Sequence, residues 1–90
     1  MIDNAEIISA IIRIISIRSN KILSIGSTSD YLFVMTFERD NIYYSINVRN
    51  WFNELQVELN TDINSDNVDT IVFDIDALKI FVDSNFKIII

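Results

Sequence analysis

The stretch from Tyr31 to Val48 constrains this chain most, because it alternates twice. Tyr31, Phe33, Met35 and Phe37 fall on one side, with Leu32, Val34, Thr36 and Glu38 on the other. After Arg39-Asp40, the run Ile42, Tyr44, Ile46, Val48 alternates with Tyr43, Ser45, Asn47 and Arg49. A period of two in aromatic and β-branched residues marks strands with one buried face. Closing the chain at Arg39-Asp40 sets Phe37 opposite Ile42, Met35 opposite Tyr44, Phe33 opposite Ile46 and Tyr31 opposite Val48. Each pair is apolar, and a slip of one residue would turn the whole set towards water. Arg-Asp suits a two-residue turn poorly, since both positions need positive φ. A four-residue loop from Glu38 to Asn41 keeps the same register. A hairpin is expected either way.

Around it the chain divides into short elements. Asp3 followed by Glu6 has the spacing of a capping box, and Ile7, Ile8, Ile11, Ile14 and Ile15 then share one face of a 3.6-residue wheel. A helix is predicted over Asp3 to Arg18. Isoleucine is a mediocre helix former, so this helix must rest on tertiary packing. Its polar face lacks the Lys and Arg cluster of a lipid-binding helix. Lys21 to Ile25 is predicted as a short strand, and Gly26 to Asp30 as the loop into the hairpin.

Asn50 is a good helix cap, and Trp51, Phe52, Leu55 and Leu59 would share a face of a second helix over 51–59. Val57 spoils that face, and Leu55-Gln-Val-Glu-Leu59 alternates as a strand would, but helix is the expectation for 51–59. Asn60 to Asp69 is expected to loop. Thr70 to Asp76 alternates as a strand, with a turn at Asp76-Ala77 and a return strand that sets Asp74 across from Lys79. A short helix from Asp76 to Asp83 competes with that return strand. A turn at Ser84-Asn85 then leads into a final strand, Phe86 to Ile90. The expected fold is α+β: one domain over residues 1–90, with an antiparallel sheet of about five strands and the Ile-rich helix on one face, joined there by the second helix where 51–59 is helical.

Composition removes most chemistry. The chain has no Cys and no His, so it lacks thiol chemistry, the usual general base near neutral pH and the commonest metal ligand. One Gly and no Pro leave no glycine-rich phosphate loop. Asp3 and Glu6 stand where a signal peptide would be basic, and Arg13 interrupts the longest apolar run. A cytoplasmic protein without cofactor or membrane segment is expected. Asp62 to Asn67 echoes a calcium loop, but Phe73 stands where the bidentate Glu belongs. Asp74 and Asp76 could be paired carboxylates, but the solvent face of an amphipathic strand accounts for them far better. Ser9, Ser16 and Ser24 have no His to activate them. Trp51, Tyr43 and Tyr44 could stack bases, but the positive charge that frames such surfaces is missing.

The net charge of −6 is unevenly placed. Residues 1–49 hold five acids and five bases, whereas residues 50–90 hold eight acids against Lys79 and Lys87. Short, acidic, without cofactor or catalytic motif, the chain has the physique of an inhibitor that neutralises a basic protein such as a toxin or nuclease, of the immunity-protein-like or nucleic-acid-mimic type. Glu54, Glu58, Asp62, Asp66, Asp69, Asp74 and Asp76 are its candidate partner-binding residues. The expected state is monomer or homodimer. The alternative is an assembly subunit that forms a homo-oligomer through sheet edges.

Overall fold

The computed structural model describes residues 4–18, 21–61, 67–81 and 86–90. Its elements run α1 (Asn4–Ile17), β1 (Lys21–Gly26), β2 (Phe33–Arg39), β3 (Ile42–Trp51), β4 (Glu54–Thr61), α2 (Asn67–Ala77), a single 3₁₀ turn (Leu78–Ile80) and β5 (Phe86–Ile89). The fold is α+β. One five-stranded sheet carries the strands in sequence order. The first three pairings are antiparallel, and β5 joins β4 in parallel. A parallel neighbour cannot be reached by a tight turn, and here α2 supplies the crossover between β4 and β5. The proposed capping residue Asp3 and the turn at Ser84-Asn85 lie outside the described residues.

The α1 prediction holds, with Ile7, Ile11 and Ile15 buried one turn apart. These three join one hydrophobic core with Phe33, Met35 and Phe37 of β2, Tyr44, Ile46 and Val48 of β3, and Leu55, Val57 and Leu59 of β4. Ile71, Ile75 and Leu78 enter the same core. Phe37 stacks on Tyr44 with ring centroids 5.3 Å apart.

The hairpin forms with the expected buried face but a different register. Phe37 pairs with Tyr44, Met35 with Ile46 and Phe33 with Val48, two residues away from the pairing read from Arg39-Asp40. The turn residues are Asp40 and Asn41, at φ 54° and 64°. Asp and Asn tolerate that left-handed region far better than Arg, and the two-residue turn they build follows the twist of the strands. A shift of two preserves the faces, so the core pattern survives the error.

Two further expectations are corrected. Residues 51–59 are not helical: β3 continues through Trp51, Phe52 and Asn53 turn the chain at φ 49° and 65°, and β4 returns. Val48 thereby meets Val57 and Ile46 meets Leu59. The alternation Leu55-Val57-Leu59 prevails because these residues complete the buried face begun by β2 and β3. Residues 70–81 are not a strand pair, and Val82 lies outside the described residues. Over Asn67–Ala77 the chain is helical, and it buries Ile71, Asp74 and Ile75 while Phe73 stands 71% exposed. The stripe Ile71, Ile75, Leu78 has helical spacing, and it overrides the apparent alternation of Ile71, Phe73 and Ile75.

Candidate protein-interaction site

The faces of β3 and β4 that point away from the core carry a connected polar and aromatic group. Alternation places Asn47, Arg49 and Trp51 on that side of β3, opposite Glu58, Gln56 and Glu54 of β4. Arg49 is its hub. Its Nε donates to Gln56 Oε1 at 3.3 Å, and Nη2 lies 3.3 Å from Glu58 Oε1. The guanidinium sits over two rings, 4.5 Å from the Trp51 centroid and 5.7 Å from that of Tyr31. Planar guanidinium groups stack on aromatic faces while keeping their in-plane donors free for acceptors, and Arg49 does both.

Tyr31 is brought there by the loop before β2. The Thr28 hydroxyl accepts from the Asp30 and Tyr31 amides, and the Thr28 amide donates to the Tyr31 carbonyl at 3.1 Å. Leu32 N–H donates to Val48 O at 2.8 Å, which ties this loop to β3. The Tyr31 hydroxyl then donates to Glu58 Oε2 at 2.9 Å. This hydrogen bond to a carboxylate, with burial and the Glu58 charge adding to it, pushes the Tyr31 phenol above its ordinary value.

A phenol that holds its proton more tightly when folded stabilises the fold below the ordinary phenol pKa, and that contribution is lost as pH rises through the raised value. The phenolate absorbance titration of wild type minus that of Tyr31→Phe should therefore have its midpoint above 10.0. A difference curve centred at or below that value would mean that the Tyr31–Glu58 bond is absent in solution.

The group ends in an exposed aromatic tip. Trp51 is 48% and Phe52 85% exposed, and their rings meet edge to face at 4.9 Å. Phe52 occupies a left-handed backbone position, where a bulky residue is strained and where Asn or Gly would be at ease. Nothing in the fold requires an aromatic side chain there.

Among the described residues, the acidic candidates differ in their surroundings. Glu58 is engaged by Arg49 and Tyr31. Asp74, only 5% exposed, is held by Arg18 Nη2 at 3.2 Å rather than by Lys79. Asp76 pairs with Lys79 at 2.8 Å. On a helix, side chains two apart point in different directions, so Asp74 and Asp76 do not form a carboxylate pair. Glu54 and Asp69 are exposed, and Asp62 and Asp66 lie outside the described residues. Tyr44 is core, leaving Tyr43 and Trp51 at the surface.

Sequence inspection missed Tyr31, Arg49 and Phe52. The available signal was the alternation Asn47, Arg49, Trp51, which becomes legible once β3 is allowed to run to Trp51. Among the described residues, no three His, Cys, Asp or Glu side chains gather to hold a metal ion. No described helix is long and apolar enough to cross a membrane. The chain matches no family model, no curated protein and no solved structure.

Proposed function

We propose that this chain is a non-enzymatic protein-binding domain, the acidic member of a two-protein complex, which docks through the β3–β4 tip. The carrying observation is Phe52: an aromatic side chain 85% exposed at a strained turn position beside Trp51. Residues retained against local conformational preference tend to cluster at functional sites. Trp, Tyr and Arg dominate the energetics of protein interfaces, and the stack of Tyr31, Arg49 and Trp51 holds them in place before any partner arrives.

The net charge of −6 supplies the second ingredient, a long-range field that favours encounter with a basic partner. Glu54 stands directly across from Trp51, so one exposed carboxylate borders the aromatic tip. Asp74 is withdrawn from such a surface by Arg18, and Glu58 serves to orient Arg49. A toxin or nuclease neutralised by occlusion fits this combination of acidic field and aromatic anchor.

The test is capture from the native host with wild-type and Phe52→Asn baits in parallel, followed by titration of the captured protein at two ionic strengths. The expected result is a basic partner that is lost from the Phe52→Asn bait and binds more weakly as salt rises. Neutralising Glu54, Asp69 and Asp76 together should flatten that salt dependence and leave the fold unchanged. A partner of acidic surface, or one held equally by both baits, would overturn the proposal.

A second function, an assembly subunit that joins copies through sheet edges, draws support from the exposure of β1.

A further inference from the structure

At β1 the core side of the sheet ends in a partly exposed margin. Ile22 pairs with Phe37 and Ile25 with Met35, and both partners are fully buried. Directly opposed residues on antiparallel strands share a face, so Ile22 and Ile25 both lie on the core side. In a regular strand, residues three apart point to opposite faces. Here the register shift between Ile22 and Ser24 inserts Leu23 as a bulge and brings the two isoleucines to the same side. Ile22 packs against the core, whereas Ile25 remains 52% exposed. Leu23, at the bulge, is exposed as well. Among the described residues no strand pairs with the outer edge of β1. Lys21 stands at one end of this edge, but Ile22 to Ile25 carry no charge, and such a stretch of open edge is a template for another strand.

We propose that β1 pairs antiparallel with β1 of a second copy of this chain, across a two-fold axis between Leu23 and Ser24, so that the sheet continues through the dimer. This deepens the assembly function above by naming the occupant and its register. Rotation about that axis sets Ile22 opposite Ile25 of the partner subunit, and the reverse, giving four isoleucines in one strip on the core side. Lys21 falls opposite Gly26 of the partner subunit. Nothing lies within 4 Å of the place a Cβ would take at Gly26, so the lysine stem has room to cross it.

Three observations favour a second copy over a foreign strand. The isoleucines are spaced symmetrically about the centre of β1, so the same strand reversed is its own complement. The four central residues, Ile22 to Ile25, carry no charge. The balanced half of the chain, with five acids and five bases in residues 1–49, comes together, while the two acidic halves stay apart. A single strand edge is small beside a standard interface of about 800 Å² per partner, so a dissociation constant on the order of micromolar is expected.

The closing experiment uses the whole chain in native mass spectrometry and sedimentation equilibrium across concentration and salt. A reversible species of twice the 10.4 kDa chain mass is expected. It should tighten as salt rises, because like-charged copies repel less when screened. That trend is opposite in sign to the one expected for a basic partner. Ile25→Lys should weaken the dimer at least tenfold with the circular dichroism spectrum unchanged, since Ile25 already faces water. The double variant Ile22→Cys/Ile25→Cys should crosslink into a covalent dimer on oxidation, and Ile22→Cys alone should not, because the chain has no other cysteine. Phe52→Asn should dimerise normally, which separates this interface from the β3–β4 tip. A monomer at every concentration, a dimer indifferent to Ile25→Lys, or equal crosslinking by the single and double variants would sink the proposal.

Discussion

Ile11→Asp is expected to unfold the domain. Ile11 is fully buried at the middle of the α1 stripe, between Ile7 and Ile15. Truncating such a side chain removes about 2–5 kcal/mol through lost burial and the cavity left behind. A carboxylate at the same point adds the cost of a charge with no partner in an apolar surround, several kcal/mol even after relaxation. A domain of this size holds about 5–13 kcal/mol in total, so the sum consumes the margin.

Ile11→Val, which keeps the β-branched shape, should cost only about 0.5–1.5 kcal/mol. The pair is read by circular dichroism and denaturant titration. An Ile11→Asp protein that keeps its spectrum and a cooperative transition would mean that α1 stands apart from the core and buries its isoleucines elsewhere. The test also addresses the weak propensity of α1. An Ile-rich segment gains little from being helical alone, so its helicity should vanish together with the core.

What the sequence disclosed followed from how locally each element is decided. Alternation over Phe33 to Val48 and the helical stripe of α1 were legible, because each is a long periodic pattern facing one core. The hairpin register was lost at the turn. Asp40-Asn41 contains no glycine, and its fitness lies in the tolerance of Asp and Asn for positive φ. The β3–β4 turn was disguised more deeply, since Phe52 is the last residue expected at such a position and Asn50 resembled a helix cap. Over 70–77 two periods compete for the same apolar residues. The stripe Ile71, Ile75, Leu78 prevails because it faces the core, and the burial of Asp74 against Arg18, fifty-six residues away in sequence, is reported by no local pattern. The parallel placement of β5 was hidden for the same reason: it depends on α2 acting as the crossover. The candidate site was legible only as charge. Counting carboxylates located charge, but Asp74 and Glu58 are spent inside the molecule, and the exposed aromatic tip lies in a segment assigned to the wrong element.

Phe52→Asn should leave the protein as stable as before, or more stable by up to about 1 kcal/mol, and should weaken partner binding strongly. Asn adopts the left-handed region readily, so the substitution relieves backbone strain of order 1 kcal/mol or more. Against this stands the edge-to-face contact with Trp51, worth about 0.5–1.5 kcal/mol when buried and less at a tip as exposed as this one. The two nearly cancel, with relief of strain ahead. In the complex the balance is different, because burying an aromatic anchor at the centre of an interface contributes 2 kcal/mol or more, roughly thirtyfold in affinity.

Few substitutions separate stability from binding with opposite signs, and this one does so because the turn and the partner want different residues at position 52. Phe52→Leu, which keeps an apolar side chain and the backbone strain, should retain part of the affinity and none of the stability gain. Thermal denaturation and calorimetric titration against the captured partner, run on all three proteins, give the two numbers. A Phe52→Asn protein that melts earlier yet binds as wild type would show Phe52 to be a structural residue of the hairpin, and the contact surface would have to be sought elsewhere on the molecule.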